Sequence, residues 1–257
     1  MELFRFRTEE EWVEAARGIF RAAAVEAEAR GSAVLRLCLA GGRTPEPVYR
    51  ALARIPLRGL RVELWLGDER DVLPDSPDRN GNLILRAFRD RDWDPEPDFM
   101  LWPEGPAAEA CRSMETRLAA LVQPFFDLSF LGVGEDGHTA GIFPGGPELG
   151  ESARLAVPSR APAEPRARMT LTFPALASTR RLWFLLRGPS KLGLAELLSE
   201  PRGEGGPFRD GDGRSQIGGP SRDDRPGAGA RAPVPAELLA RRVGDSGGAA
   251  ALLYCET

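Results

Sequence analysis

The stretch AVLRLCLAGGRTPEPVYRAL, residues 33–52, joins a predicted buried strand to a predicted helix through a pair of glycines. Residues 33–39 are mostly apolar, β-prone and too few for a helix, which is typical of a strand buried on both faces. Gly41 and Gly42 end this run, and Pro45 suits the first turn of a helix that continues to the end of the stretch. Strand–turn–helix units of this kind build parallel sheets.

The same alternation of strand and helix runs along the chain in both directions. Thr8 followed by Glu11 is a capping-box pattern that predicts a helix, and Gly31 is placed to end it. We predict further strands at 62–66, 99–102, 128–133, 169–173, 182–186 and 249–254, and helices at 83–88, 107–122, 191–198 and 235–242. The polar residues 68–79 are interpreted as a turn-rich loop. These elements predict a single α/β domain, 1–257, whose mostly parallel sheet is covered by helices on both faces.

The composition excludes several classes of protein. With 38 acidic and 34 basic side chains the net charge is −4, so no global positive field would attract nucleic acid or an anionic membrane. No stretch approaches the roughly 18 uninterrupted apolar residues that a spanning helix needs, and the first residues lack a signal-peptide pattern. The three cysteines have no metal-ligand spacing, which indicates reduced thiols. We expect a cytoplasmic protein, a monomer or weak dimer, with neither a nucleic-acid nor a membrane partner.

One interval differs in composition from the rest of the chain. Residues 199–233 are rich in glycine, proline and arginine, and their only large apolar residues are Phe208 and Ile217. Such a segment cannot bury enough surface to offset its ordering entropy. We predict a mobile insertion within the domain, which limited proteolysis should cut first between Gly203 and Arg231.

The turn Gly41-Gly42-Arg43-Thr44, ahead of Pro45, has the features of a phosphate site. Glycines let a ligand approach the backbone closely, and the start of a helix offers unpaired N–H groups and a positive dipole end to a phosphate. A tight strand-to-helix turn without a ligand explains the same residues. The glycine and lysine spacings of a Walker loop or a dinucleotide fingerprint are missing.

Charged residues follow two other predicted strands, and in a parallel sheet ligands bind at the carboxyl ends of the strands. Arg70 could bind a phosphate through the planar set of donors on its guanidinium group. Asp68 and Glu69 could hold this arginine in place or bind hydroxyl groups. The alternative is a solvated, charged turn. Lys191 is the one lysine among 34 basic residues and stands at a predicted helix start, where an ammonium group makes a second anion site. The alternative is a surface lysine.

The segment GVGEDGHTAG, residues 132–141, carries the single histidine of the chain. His138 lies at the end of a predicted strand and can take a proton from water near neutral pH, while Asp136 would fix its tautomer and stabilise its charged form. This arrangement predicts a general base, with a structural histidine as the alternative. With no second histidine and no Cys-x-x-Cys pair, no transition-metal site is expected.

Five motifs, in this order, resemble the 6-phosphogluconolactonase family. They are AGGRTP at 40–45, DER at 68–70, LGVGEDGHTA at 131–140 with FPG at 143–145, RMTLT at 168–172, and Gly188 with Lys191. The resemblance spans residues 2–198 and resumes loosely from 235. It implies a Rossmann-like fold and hydrolysis of a sugar-phosphate lactone, 6-phospho-D-glucono-1,5-lactone, in the oxidative pentose phosphate pathway, with no cofactor and no metal.

The resemblance also implies roles for individual residues. His138 would activate the attacking water and later help to protonate the leaving ring oxygen, with Asp136 orienting it. A further set would hold the phosphate and polarise the site: Gly41, Gly42, Arg43, Thr44, Arg70, Arg168 and Lys191. Arg43 stands where many members of the family carry a serine, and the interval after residue 198 is unlike their compact ending.

Two other functions fit parts of the sequence. Glucosamine-6-phosphate deaminases share the superfamily and an Asp-Gly-His loop, but that loop typically continues Ile-Gly-Phe-Asn-Glu-Pro-Gly, and the segment from Thr139 to Gly145 lacks the Asn-Glu pair. A non-catalytic sugar-phosphate sensor built on the same fold would not need His138. The lactonase is therefore favoured over both.

Overall fold

The structure is a computed structural model that describes residues 1–200 and 232–257. Most of the predicted mobile insertion, and the expected cleavage between Gly203 and Arg231, lies outside the described residues. In the two described ranges the strands are Glu2–Phe6 (β1), Val34–Leu39 (β2), Leu57–Arg58 (β3), Arg61–Leu66 (β4), Asp68–Arg70 (β5), Trp93–Asp94 (β6), Asp98–Met100 (β7), Phe126–Gly132 (β8), Ala156–Arg160 (β9), Ala167–Leu171 (β10), Thr179–Arg187 (β11) and Ala249–Cys255 (β12). The α-helices are Glu9–Ala29 (α1), Glu46–Ala53 (α2), Asn80–Ala87 (α3), Ala107–Ala119 (α4), Phe173–Leu176 (α5), Leu192–Ser199 (α6) and Pro235–Asp245 (α7).

Seven strands form a central sheet in the order β1-β12-β11-β8-β2-β4-β7, and every neighbouring pair is parallel. In β8 the successive residues 128–131 are all fully buried. Because successive side chains of a strand point to opposite faces, both faces of the sheet are covered. α1 packs on β1, β12, β8 and β2, while α6 and α7 pack at the β1–β12–β11 end. The predicted α/β architecture is confirmed.

The predicted turn-rich loop at 68–79 is wrong for its first three residues. They form β5, which pairs antiparallel with β10 in a separate three-stranded sheet of order β5-β10-β9. The predicted strand at 169–173 is present as β10, but it belongs to this small sheet and not to the central one. The sequence gives no strand signal at Asp68-Glu69-Arg70, because three charged residues show no apolar alternation and the strand depends on distant partners.

The ends of α1 follow the predicted capping pattern. The side chain of Thr8 accepts a hydrogen bond from the backbone N–H of Glu11 at 3.2 Å. The Glu11 carboxylate in turn accepts from the N–H of Arg7, one residue before the cap, at 3.1 Å. Gly31 follows the helix with a φ of +68°, a conformation that closes helices and favours glycine.

Alanine substitutions of two glycines, one within α1 and one just after it, should change the stability of the protein in opposite directions. Gly18 is exposed within α1 and Gly31 lies just beyond it, and a Cβ at either position meets no atom within 4 Å. Gly18→Ala should raise the free energy of unfolding by about 0.5–1 kcal/mol, because alanine loses less backbone entropy in a helix. Gly31→Ala should lower it by about 1 kcal/mol, because its positive φ strains any residue with a Cβ. Urea unfolding of both variants checks this, and equal shifts of the same sign would contradict it.

Candidate active site

A cleft of about 200 Å³ opens at the carboxyl ends of four neighbouring strands, β11, β8, β2 and β4. Each strand is followed by one of the segments singled out in the sequence, so the topology brings together residues that are far apart in the chain. Six of the predicted site residues line the cleft: Gly41, Gly42, Thr44, Arg70, His138 and Lys191. The cleft is also lined by residues that the sequence did not single out for the site, notably Asn80, Ala140 and Arg187.

His138 forms a close pair with Asp136 at the mouth of β8. Its Nδ1 lies 2.6 Å from Oδ1 of Asp136, and its backbone N–H donates to the same oxygen at 3.1 Å. The imidazole packs against the ring of Phe143, with ring centroids 4.6 Å apart. A carboxylate on Nδ1 favours the tautomer with the proton on that nitrogen, which leaves Nε2 as the basic atom.

The loop that carries this pair is held closely by its own backbone. The N–H of Gly134 donates to the carbonyl oxygen of His138 at 2.9 Å. A Cβ on Gly134 would lie 2.0 Å from Nδ1 of His138 and 2.7 Å from Oδ1 of Asp136, so only glycine leaves room for the imidazole. Beyond the pair, the Thr139 hydroxyl donates to Gly132 at 3.0 Å, which ties the loop back to its strand.

Lys191 reaches the same loop from the end of β11. It lies in a short 3-10 turn, Pro189–Lys191, directly ahead of α6, and its ammonium group donates to the carbonyl oxygen of Val133 at 2.9 Å. Burial lowers the pKa of Lys191, while the carboxylates of Glu135 and Asp136 act in the opposite direction. The ammonium group thus stands half-buried at the cleft wall, where an anion would gain more from it than at an open surface.

The charged motif after β4 divides into three different roles. Arg70 lines the cleft and donates to the carbonyl oxygen of Asp78 at 2.6 Å. Asp68 also lines the cleft, and burial raises the pKa of its carboxyl while Arg70 and Arg168 lower it. Glu69 turns away from the cleft, because its carboxylate accepts the backbone N–H groups of Asn80 at 2.6 Å and of Gly81 at 2.8 Å. Glu69 therefore caps α3, and it contacts Arg70 through the backbone N–H of that residue, which donates to its carboxylate at 2.8 Å.

Asn80 is a cleft residue that sequence reasoning missed. Its amide Nδ2 donates to the backbone carbonyl of Asp68 at 3.0 Å, whereas its Oδ1 is buried without a hydrogen-bond partner among the described residues. A Cβ on Gly41 would lie 1.8 Å from this Oδ1, so the first glycine of the predicted phosphate turn is required for the Asn80 side chain to fit. The available signal was an asparagine three residues ahead of the helix predicted at 83–88.

Three predicted site residues do not line the cleft: Asp136, which pairs with His138, and two arginines, Arg43 and Arg168. Arg43 is exposed on the outer side of its turn. Arg168 lies opposite Arg70 in the β5–β10 pair, and its guanidinium donates to the carbonyl oxygen of Pro165. Burial lowers the pKa of Arg168, and the like charge of Arg70 lowers it further. The charge of Arg168 thus acts on Asp68 and Arg70, although Arg168 itself does not line the cleft.

Arg187 at the end of β11 also borders the cleft. Its guanidinium pairs with the carboxylate of Glu9 and donates through Nε to the carbonyl oxygen of Thr257 at 2.8 Å. These contacts direct its side chain toward the start of α1. Arg187 therefore links the end of β11 to the start of α1 and to Thr257 at the edge of the cleft.

A histidine–carboxylate pair, a half-buried lysine and glycine turns thus surround one cleft at the edge of a parallel α/β sheet. The family model described as glucosamine-6-phosphate isomerases/6-phosphogluconolactonase matches residues 7–208. The chain belongs to this family.

Relatives of known name agree with this assignment. The 6-phosphogluconolactonase of Streptomyces coelicolor is 33% identical over 222 residues, which cover 79% of this chain and 84% of the relative. That of Synechocystis is 37% identical over 163 residues, 60% of this chain and 67% of the relative. The crystal structure of 6-phosphogluconolactonase from Thermotoga maritima superposes with a TM-score of 0.69 and 26% identity, and covers 100% of this chain and 99% of its own.

The described residues contain neither a candidate membrane span nor a candidate metal cluster. In residues 1–200 and 232–257 no helix is long and apolar enough to cross a bilayer. In the same ranges no group of three or more histidine, cysteine, aspartate or glutamate side chains is arranged to hold a metal ion.

Proposed function

We propose that this protein hydrolyses 6-phospho-D-glucono-1,5-lactone to 6-phospho-D-gluconate, a step of the oxidative pentose phosphate pathway. The observation that carries the proposal is the 2.6 Å contact between Nδ1 of His138 and the carboxylate of Asp136 beside the cleft. Membership of the family and the names of the relatives support the substrate. A lactone carbonyl is already electrophilic, so its hydrolysis needs little more than a positioned base and stabilisation of the developing negative charge.

In this proposal Nε2 of His138 takes a proton from a water molecule as the water oxygen attacks the lactone carbonyl carbon. The carbonyl becomes a tetrahedral oxyanion. The bond from this carbon to the ring oxygen then breaks, and the imidazolium returns its proton to the leaving oxygen, which becomes a hydroxyl group. The carboxylic acid product loses its proton to solvent. Asp136 keeps the tautomer in place and stabilises the imidazolium while it exists.

The remaining cleft residues hold the substrate. Lys191, Arg70 and the turn of Gly41, Gly42 and Thr44 all line the cleft around His138. We assign the phosphate to Lys191 and this turn, because glycines let the backbone approach a phosphate closely and the ammonium group supplies a positive charge. Arg70 supplies a further positive charge that polarises the site.

The test follows the decay of freshly made 6-phosphogluconolactone with and without the protein, alongside the unphosphorylated lactone. The lactone opens spontaneously, so the rate without protein is subtracted. We expect acceleration of the phosphorylated lactone alone, because the unphosphorylated one cannot use the anion site. A folded protein that accelerates neither would overturn the proposal. Ammonia release from glucosamine 6-phosphate would then favour the alternative function, since the family description also names glucosamine-6-phosphate isomerases.

Lys191→Ala should raise KM for the phosphorylated lactone by about tenfold and leave kcat within about threefold. A phosphate contact made equally in the ground state and the transition state is uniform binding, and its loss appears in KM. Initial rates over a range of lactone concentrations separate the two constants. Lys191→Arg, which keeps a positive charge at the turn, is the matched control and should lose less. A fall in kcat alone would move Lys191 from the phosphate to the reacting carbonyl.

A further inference from the structure

The first turn of α7 lies against the loop between Asp136 and His138. The backbone N–H of Ala236 donates to the carbonyl oxygen of Gly137 at 3.1 Å. Gly137 has a φ of +82°, and a Cβ there would lie 2.5 Å from the Cβ of Val234. The Val234 side chain therefore sits directly over the α-carbon of the residue that joins the proposed base to its carboxylate.

This turn of α7 is anchored independently of the loop. The backbone N–H of Val234 donates to the Glu237 carboxylate at 3.0 Å, which closes the helix start. Pro235, Ala236 and Leu239 are buried, and the helix packs on β11 and β12. A contact from such an element restrains the loop relative to the sheet.

The histidine pair is only partly enclosed by the protein. The side chains of His138 and Asp136 keep 33% and 40% of their surface exposed. Their backbone is held by bonds within the loop, from Gly134 to His138 and from Gly137 to Gly134. The ring of Phe143 restrains the imidazole and Thr139 ties the loop to β8, whereas α7 contacts the Gly137 peptide between the two side chains.

We propose that Val234 and Ala236 are positioning residues for His138: they fix the Gly137 peptide so that Nδ1 of His138 stays on the Asp136 carboxylate and Nε2 faces the cleft. They do not touch the substrate. The segment lies beyond residues 7–208 that match the family model. This inference rests on the proposed role of His138 as the base.

Three variants test the inference. Val234→Ala removes the two γ-methyl groups that lie against Gly137 and keeps only Cβ there, Val234→Ile keeps a branched side chain at this position, and Val243→Ala truncates a fully buried valine of the same helix. We expect Val234→Ala to lower kcat by about tenfold with KM within twofold, since small displacements of a catalytic group are costly. Val234→Ile should restore most of kcat, and Val243→Ala should lower the melting temperature with kcat within twofold.

A second readout does not depend on activity. The chain has one histidine, so untagged protein carrying nitrogen-15 histidine reports only the His138 imidazole. The wild-type spectrum should show a protonated Nδ1 and a free Nε2, and the Gly137 α-protons should show a nuclear Overhauser effect to the Val234 methyl groups. In Val234→Ala the two nitrogen shifts should move toward a mixture of tautomers, while Val243→Ala keeps the wild-type pattern.

Several outcomes would overturn the inference. Wild-type kcat and nitrogen shifts in Val234→Ala would do so, as would a loss of kcat without any change in the imidazole spectrum, or equal losses in Val234→Ala and Val243→Ala. Absence of the Overhauser effect in the wild-type protein would do so without any variant. If the wild-type protein itself lacks lactonase activity, the proposed function fails, and the spectra still decide whether α7 sets the tautomer.

Discussion

His138→Ala should lower kcat for 6-phosphogluconolactone at least about 100-fold, the usual contribution of a positioned general base. In the described part of the chain His138 contributes the only imidazole at the cleft, and its Nδ1 is already occupied by Asp136 at 2.6 Å. Removal of the imidazole therefore leaves the water without a base.

The measurement is the initial rate after subtraction of spontaneous ring opening, together with binding of the product 6-phosphogluconate by calorimetry. Product affinity should stay within about threefold, because the anion contacts assigned to Lys191 and the glycine turn remain. Pro144→Ala, an exposed residue of the same loop, is the matched control and should keep wild-type rates. A His138→Ala variant within about threefold of the wild-type kcat would refute the general-base assignment.

Gly134→Ala should lower kcat by about 100-fold while the protein stays folded. A Cβ at Gly134 would lie 2.0 Å from Nδ1 and 2.1 Å from Cε1 of His138, closer than any real contact. The side chain that must yield is the imidazole itself, which can rotate toward solvent without disturbing the core. A displacement of about 1 Å in a catalytic group costs on the order of 100-fold in rate.

The Gly134 test needs a control for the addition of a methyl group to a loop glycine. Gly150 is exposed, meets no atom within 4 Å and lacks a positive φ, so Gly150→Ala should keep wild-type kcat and melting temperature. Circular dichroism of Gly134→Ala should match the wild type. A kcat above about one third of the wild-type value would mean that the imidazole works from a second position, and the geometry of the His138 pair would then not explain the activity.

The sequence was informative where a site residue directly follows a strongly apolar strand. Gly41 follows β2, His138 follows β8 and Lys191 follows β11. Their placement at the same sheet edge could therefore be predicted from the strands alone, because ligands of a parallel sheet bind where its strands end. His138 and Lys191 also stood out because each is the single residue of its type in the sequence.

The sequence was less informative where a residue depends on contacts that no local pattern encodes. Glu69 was expected beside Arg70, but its carboxylate caps α3 eleven residues later in the chain. Asn80 was missed because its position also depends on distant contacts. The cap from Glu69 and the bond to Asp68 hold its side chain against Gly41 in the cleft. Arg43 and Arg168 fit the motifs of the resemblance, yet side-chain direction in a turn or a short antiparallel sheet follows from packing that spacing does not show.

The strand order has a consequence for how the protein is made. β12 lies between β1 and β11, and Phe4 pairs with Leu253. Ribosomes add roughly 5–20 residues per second, so β1 waits on the order of 10 to 50 seconds after its own synthesis before β12, its neighbour in the described sheet, exists. During that interval its apolar side chains and unpaired backbone groups remain open to other chains. The β1 edge of the sheet therefore closes late, after nearly all of the described chain has been made.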